Sequence, residues 1–162
     1  MKKYKPFIII LNLILLLVYF GYSIVKKEEL LKDGQLVFLE LAPVDPRSLM
    51  QGDYMSLRYR ISDSIDFASM PKRGYCVVRI DTKGVAGKLR FQKGLTPLNE
   101  NEHLINYTSS DNWNVNIGAE SFFFQEGQSE KYEKAKYGGI KIDQKGNSLL
   151  VGLYNEQLLK IE

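Results

Sequence analysis

RIDTKGVAGKLRF, residues 79–91, and KIDQKGNSLLVGL, residues 141–153, are two versions of one pattern. Each reads basic–Ile–Asp–x–Lys–Gly and then a second apolar run. Asp-x-x-Gly suits a type I turn whose last residue takes a positive φ, the three- to four-residue loop of a β-hairpin. Both stretches are therefore expected to be hairpins, which makes the chain a β protein. Upstream of each lies a second loose match, Gly52-Asp53 ahead of one run and Gly118-Ala119-Glu120 ahead of another. Two accounts fit. Either the chain holds a duplicated unit of one opening strand and one hairpin, or a common hairpin recurs by chance.

Working outward, a period of two dominates beyond Lys32. Residues 36–42 (LVFLELA) form a strongly apolar run. Residues 54–61 alternate, with Met55, Leu57, Tyr59 and Ile61 on one face and Tyr54, Ser56, Arg58 and Arg60 on the other. Further strands are expected at 75–81, 88–92, 104–107, 115–117, 121–124, 137–142 and 149–154, with one short exposed helix at 129–136. Many short strands separated by Gly, Asn and Asp predict an antiparallel β sandwich or open barrel.

The amino-terminal part is different. Residues 7–25 (FIIILNLILLLVYFGYSIV) carry no charge and one mid-span amide, Asn12. As a helix they would rise roughly 28 Å, the thickness of a bilayer's hydrocarbon core. Tyr19 and Tyr22 lie toward the distal end, where phenol rings suit the membrane–water boundary. The run exceeds the h-region of a cleaved signal and no A-x-A-like site follows, so a retained anchor is expected. The expected division is a cytoplasmic leader at 1–6, a transmembrane helix at 7–25, a juxtamembrane linker at 26–34 and an extracytoplasmic β domain at 35–162. Lysines flank both ends of the run equally, so this orientation follows from the short basic leader of a signal-anchor.

Charge follows the same division. Residues 1–32 carry a balance of +4 and residues 33–162 a balance of −1, so the β domain has no basic excess for binding a phosphate backbone. A nucleic-acid role is not expected. Cys76 is the single cysteine and sits in an apolar strand, which predicts a buried small side chain and excludes an intrachain disulfide. With one Cys and one His, His103, no His/Cys metal cluster can form, and neither a calcium loop nor a Gly-rich phosphate loop is present. No metal and no cofactor are expected, and His103 is expected at a strand edge in a structural or solvated role.

The chemically richest stretch is PVDPRSLMQGDYMSLRY, residues 43–59. Type I signal peptidases also carry an N-terminal anchor and a β domain, and their nucleophile motif reads Ser-Met-x-Pro-Thr-Leu-x-x-Gly-Asp. Superposing Gly52-Asp53 on that motif puts Val44 at the nucleophile and Arg47 at the proline, and nominates no lysine base. Serine hydrolysis, with Ser48 as the remaining candidate, is therefore disfavoured. A structural account fits better. Gly52 can redirect the chain into the strand, the Asp53 carboxylate can accept backbone N–H groups in that turn, and Leu57 and Tyr59 point to the core. Arg47 lies near Asp45 and Asp53 in sequence, within reach of a surface ion pair.

Gly52-Asp53-Tyr54-Met55-Ser56-Leu57-Arg58-Tyr59 fits the pattern G-D-Y-x-x-L-x-Y at every fixed position. It resembles the bacterial family named for that signature, the GDYXXLXY proteins. Asp45-Pro46-Arg47-Ser48-Leu49 is similar to the family's lead-in, and residues 118–127 (GAESFFFQEG) to its second recurrent block. The resemblance implies a membrane-anchored protein and, by analogy, a polytopic membrane partner; it assigns no catalytic residue. Three functions are weighed. The first is a non-catalytic accessory or sensor protein of the bacterial inner membrane, its periplasmic β domain docking on an integral partner. The second is a small-molecule or glycan binder. In either, Asp45, Arg47, Asp53, Tyr54, Arg58 and Arg60 are the candidate binding residues. The serine hydrolase is third.

Overall fold

The fold is that of a computed structural model, which describes residues 4–42, 54–63, 70–109, 115–125 and 127–162. A long helix, α1 (Lys5–Asp33), leads into eight strands: β1 (Gln35–Glu40), β2 (Tyr54–Ser56), β3 (Arg73–Ile80), β4 (Ala86–Gln92), β5 (Glu102–Thr108), β6 (Ser121–Phe123), β7 (Tyr137–Ile142) and β8 (Ser148–Tyr154). A single helical turn, α2 (Ser129–Tyr132), stands where the short exposed helix is expected.

α1 is unbroken. Residues 26–34, read from sequence as a linker, continue the helix for two more turns until the Gly34 N–H closes it on the Leu30 carbonyl at 3.0 Å. Leu30 is buried there and packs the end of the helix against the domain. Phe7–Asp33, 27 residues, is long and apolar enough to cross a membrane, with a mean hydropathy of 2.5 over its most apolar window. None of its most apolar window is covered by the rest of the chain.

All strand pairs are antiparallel. They form two three-stranded sheets, β1-β7-β8 and β4-β3-β5, and a two-stranded ribbon, β2-β6. The sheets do not close into a barrel. Taken as two halves, β1–β4 and β5–β8, the arrangement is an exchange. The opening strand of the first half, β1, pairs with the hairpin of the second, β7-β8. The opening strand of the second half, β5, pairs with the hairpin of the first, β3-β4. Between them the two middle strands pair with each other, Met55 opposite Phe122. This is the connectivity of a pseudo-twofold with swapped first strands.

The repeat extends to the hairpin details. Ile80 faces Ala86 at the end of one hairpin and Ile142 faces Ser148 at the end of the other. Each hairpin shifts register three residues before its turn aspartate, at Val77/Val78 and at Gly139/Ile140. In each turn the aspartate carboxylate, Asp81 or Asp143, accepts two backbone N–H groups at 2.8 Å. The turn glycines, Gly84 and Gly146, sit at φ of 86° and 83°, which a Cβ would strain. Each turn is also stitched to the opening strand of its own half, Phe38 N–H to the Gly84 carbonyl (2.9 Å) and Asn106 N–H to the Gly146 carbonyl (2.7 Å). The repeated Ile-Asp-x-x-Gly motif is thus the sequence trace of a structural repeat.

One core lies between the sheets, with Val37 and Leu39 from β1, Cys76 and Val78 from β3, Ile105 from β5, Ile140 from β7 and Leu153 from β8. Two expected strands differ. The strand at 54–61 keeps its ladder only to Ser56, then curls into a 3-10 turn at Arg60–Ser62 because the Ser62 N–H bonds the Tyr59 carbonyl at 3.0 Å. The strand at 115–117 is reduced to one bridge, Asn116 to Thr108, since Gly118 at φ 82° turns the chain immediately afterwards.

Candidate functional site

The alternation at 55–61 survives the shortened strand. Met55, Leu57, Tyr59 and Ile61 are all buried, whereas Ser56, Arg58 and Arg60 are exposed. Tyr59 is the fixed point of this region, at 1 % exposure. Its hydroxyl donates to the Ala119 carbonyl at 2.6 Å, and its ring lies against Gly138 of β7. Desolvation raises its pKa, so the phenol stays protonated as a donor. Two residues earlier, the Leu57 N–H bonds the Glu120 carbonyl at 2.7 Å. The Glu120 carboxylate in turn accepts the N–H groups of Ile117 and Gly118. The Gly-Ala-Glu turn of the second half is therefore built by its own acid and held against the first half by Leu57 and Tyr59.

The exposed side of the same stretch is occupied differently. Arg58 pairs with Asp63 at 3.0 Å, and Arg60 pairs with Glu40 of β1. The carboxylate of Glu40 raises the pKa of the Arg60 guanidinium further. Exposed pairs of this kind contribute little to stability, but both guanidinium groups have protein partners. Tyr54 opens β2 through its backbone pairing with Phe123. Asp45, Arg47, Ser48, Gly52 and Asp53, and the side chain of Tyr54, lie outside the described residues, as does Val44.

Cys76 is fully buried, and desolvation pushes its thiol up to about 12, so it is not a thiolate near neutral pH. Among the described residues Glu102 is the buried acid. Arg90 grips it through two bonds, at 2.8 and 2.7 Å, and Asn99 adds its N–H at 3.0 Å and its side-chain amide at 3.1 Å. These donors, Arg90 first, hold the carboxyl down to about 2.

Two cavities stand apart from the signature strand. The larger, about 1120 Å³, is a crevice between the second half of α1 and the turn joining β7 to β8. The smaller, about 510 Å³, is lined by Arg79, Asp81, Glu100 and Asn101 beside the start of β1. His103 lines both. Neither is lined by Arg58 or Arg60. The crevice had no local signal in the sequence, because its walls are more than a hundred positions apart. They are joined where the Lys141 ammonium donates to the Lys32 carbonyl at 3.1 Å.

The sequence model of one family, described as GDYXXLXY protein, matches residues 16–153. The chain belongs to that family. No curated protein and no solved structure matches it. In this GDYXXLXY protein the Leu and the final Tyr of the signature are core residues: Leu57 is 2 % exposed, and Tyr59 ties to the turn ahead of β6 through Ala119 and lies against Gly138 of β7.

Proposed function

We propose that this GDYXXLXY protein is a single-pass, non-catalytic accessory or sensor protein of the bacterial inner membrane. α1 crosses the bilayer with the β domain on the periplasmic side, and the protein docks on a polytopic membrane partner. The observation that carries the reading is the state of α1. Its apolar surface is left uncovered by its own domain, and that surface includes the exposed amide of Asn12 in the middle of the span. Acyl chains offer an amide no hydrogen-bond partner, whereas a polar side chain or carbonyl on a neighbouring helix does. The non-catalytic part of the proposal is supported by the burial of Cys76 and by the core positions of the signature's Leu57 and Tyr59.

Extraction in a mild detergent and affinity capture of the full chain tests this. A polytopic membrane protein is expected in stoichiometric amount, and Asn12→Leu is expected to weaken its retention while leaving the melting of the β domain unchanged. Recovery of the chain alone, from cells that express it at its natural level, would sink the proposal.

A further inference from the structure

The crevice between α1 and the β7-β8 turn lies where the apolar run ends, so its ligand belongs to the membrane surface. Along α1 its wall carries Tyr19, Tyr22, Lys26, Lys27, Glu29 and Asp33. Tyr19, Lys26 and Asp33 are seven residues apart and share a helix face, each roughly 10 Å above the last. Opposite them stand Asp143, Lys145 and Asn147. The charges balance, three lysines against three carboxylates. Asp143 is already engaged, since it accepts the N–H groups of Lys145 and Asn147 at 2.8 Å and the Asn147 amide at 2.7 Å. Glu29 and Asp33 form no ion pair among the described residues, and neither do Lys27 and Lys145.

The vertical order of these groups decides the ligand. Phenol rings stand lowest, at the hydrocarbon boundary; the Lys26 ammonium lies 4.5 Å from the Tyr22 ring centroid. Lysines come next, immediately above the last apolar residue. On α1 the carboxylates come last, Glu29 about 4.5 Å above Lys26 along the axis; Asp143, on the opposite wall, acts on Lys26 but is taken up by its own turn. A zwitterionic phospholipid headgroup has the same order outward from the bilayer: glycerol, phosphodiester, then ammonium. A purely anionic headgroup would leave Glu29 and Asp33 facing like charge. A quaternary ammonium needs aromatic faces at its own height, and Tyr19 and Tyr22 lie below Lys26. A primary ammonium instead donates N–H bonds that carboxylates accept.

We infer that this crevice is a binding site for the headgroup of a zwitterionic, primary-ammonium phospholipid, with Lys26, Lys27 and Lys145 on the phosphodiester and Glu29 and Asp33 on the ammonium. The inference rests on α1 spanning the bilayer, and not on the proposed protein partner. The test uses the purified full chain in detergent, titrated with chain-matched phosphatidylethanolamine, phosphatidylcholine and phosphatidylglycerol, with retained lipid counted by native mass spectrometry. The ethanolamine lipid is expected to be retained several-fold over the other two. Lys145→Gln, in an exposed turn, is expected to lower its retention. Glu29→Gln is expected to remove its preference over the choline lipid while leaving phosphate-dependent retention in place. Equal retention of all three lipids, or a preference unchanged in both variants, overturns the site. Displacement by soluble glycerophosphoethanolamine at equal concentration overturns the lipid as its source. Partner capture is measured separately, so failure here and failure there are distinguishable.

Discussion

The first half of the β domain, β1–β4, and the second, β5–β8, share a hairpin down to its turn bonds and its bulge, yet each positions its opening strand differently. β1 comes directly off α1, whose Leu30 is buried against the domain and whose end is closed by Gly34. β5 follows a loop that is fixed by the Glu102–Arg90 pair, with Arg90 also bonding the Pro97 carbonyl at 2.9 Å. The halves also fill their hairpins differently. Cys76 and Val77 of β3 are fully buried side chains, whereas the corresponding positions of β7 are Gly138 and Gly139, with the rings of Tyr59 and Tyr154 over them. The shared part is a backbone solution. The unshared parts attach the domain to its helix and lock the signature strand.

Tyr59 and Gly138 form that lock. Tyr59→Ala removes a fully buried ring and leaves the Ala119 carbonyl without its donor, for a loss of about 3–5 kcal/mol, typical of deleting a large buried aromatic. Gly138→Ala acts from the other side. A Cβ there would stand 2.8 Å from the Tyr59 ring and 3.0 Å from its hydroxyl, an overpacking that costs about 1–3 kcal/mol. The two should not add, because the alanine at 138 occupies space vacated in Tyr59→Ala. Urea unfolding of the four proteins in this cycle checks it. Additive losses would mean that Tyr59 and Gly138 are not one lock.

The Glu102–Arg90 pair that fixes β5 predicts a pH dependence. Glu102 is held at about 2 when folded, against an ordinary 4.5. A depressed carboxyl stabilises the fold fully above its unfolded value, and that stabilisation is lost as pH falls from about 4.5 toward 2. The wild-type melting temperature should therefore drop across that window. In Glu102→Gln it should start lower at neutral pH, because Arg90 loses its charged partner, and its decline across the same window should be shallower. An identical acid profile in wild type and Glu102→Gln would locate the acid sensitivity elsewhere.

The local parts of this fold are the parts the sequence displays. Asp-x-x-Gly specifies both hairpin turns through an acid and a glycine a few residues apart, and alternation at 55–61 specifies which side chains are buried. That alternation could not show that the ladder with β6 stops at Ser56, because the Tyr59 backbone stays extended and bridges Leu41 instead. The exchange of β1 and β5 had no local signal at all. Pairing β1 with β7 joins residues about a hundred positions apart, and only the assembled core selects it. The helical course of residues 26–33 was obscured by their Lys and Glu content, which suits a solvated linker as well as a helix. The crevice depends on both of these facts, since one wall is that helical stretch and the other is the turn after β7. For Asp45 and Arg47 the lead-in, and for Asp53 the signature, supplies residue types, and Arg58 and Arg60 alone among the candidate arginines have described partners.

A third turn has the bonds of the two hairpin turns but a different residue at its left-handed position. Asn155 repeats the Asp81 and Asp143 geometry. Its side-chain oxygen accepts the N–H groups of Gln157 and Leu159 at 3.0 Å, and its carbonyl accepts the Leu158 N–H at 3.0 Å. Yet the residue corresponding to Gly84 and Gly146 is Leu158, at φ 60°. Replacing either turn glycine by alanine should cost about 1–2 kcal/mol for the left-handed backbone. Gly146→Ala should cost more than Gly84→Ala. Its Cβ would stand 3.1 Å from the Asn106 backbone nitrogen, which cannot yield without losing its bond to the Gly146 carbonyl, whereas Gly84 meets only the edge of the Phe38 ring at 3.3 Å. Leu158→Gly should do the opposite and stabilise by at most about 1 kcal/mol, because relief of the left-handed strain is offset in part by the greater freedom of glycine in the unfolded chain. Denaturant midpoints for the three variants test the order and the sign. A destabilised Leu158→Gly would mean that the leucine side chain contributes more through packing than its backbone costs, and that the third turn is held by different forces from the other two.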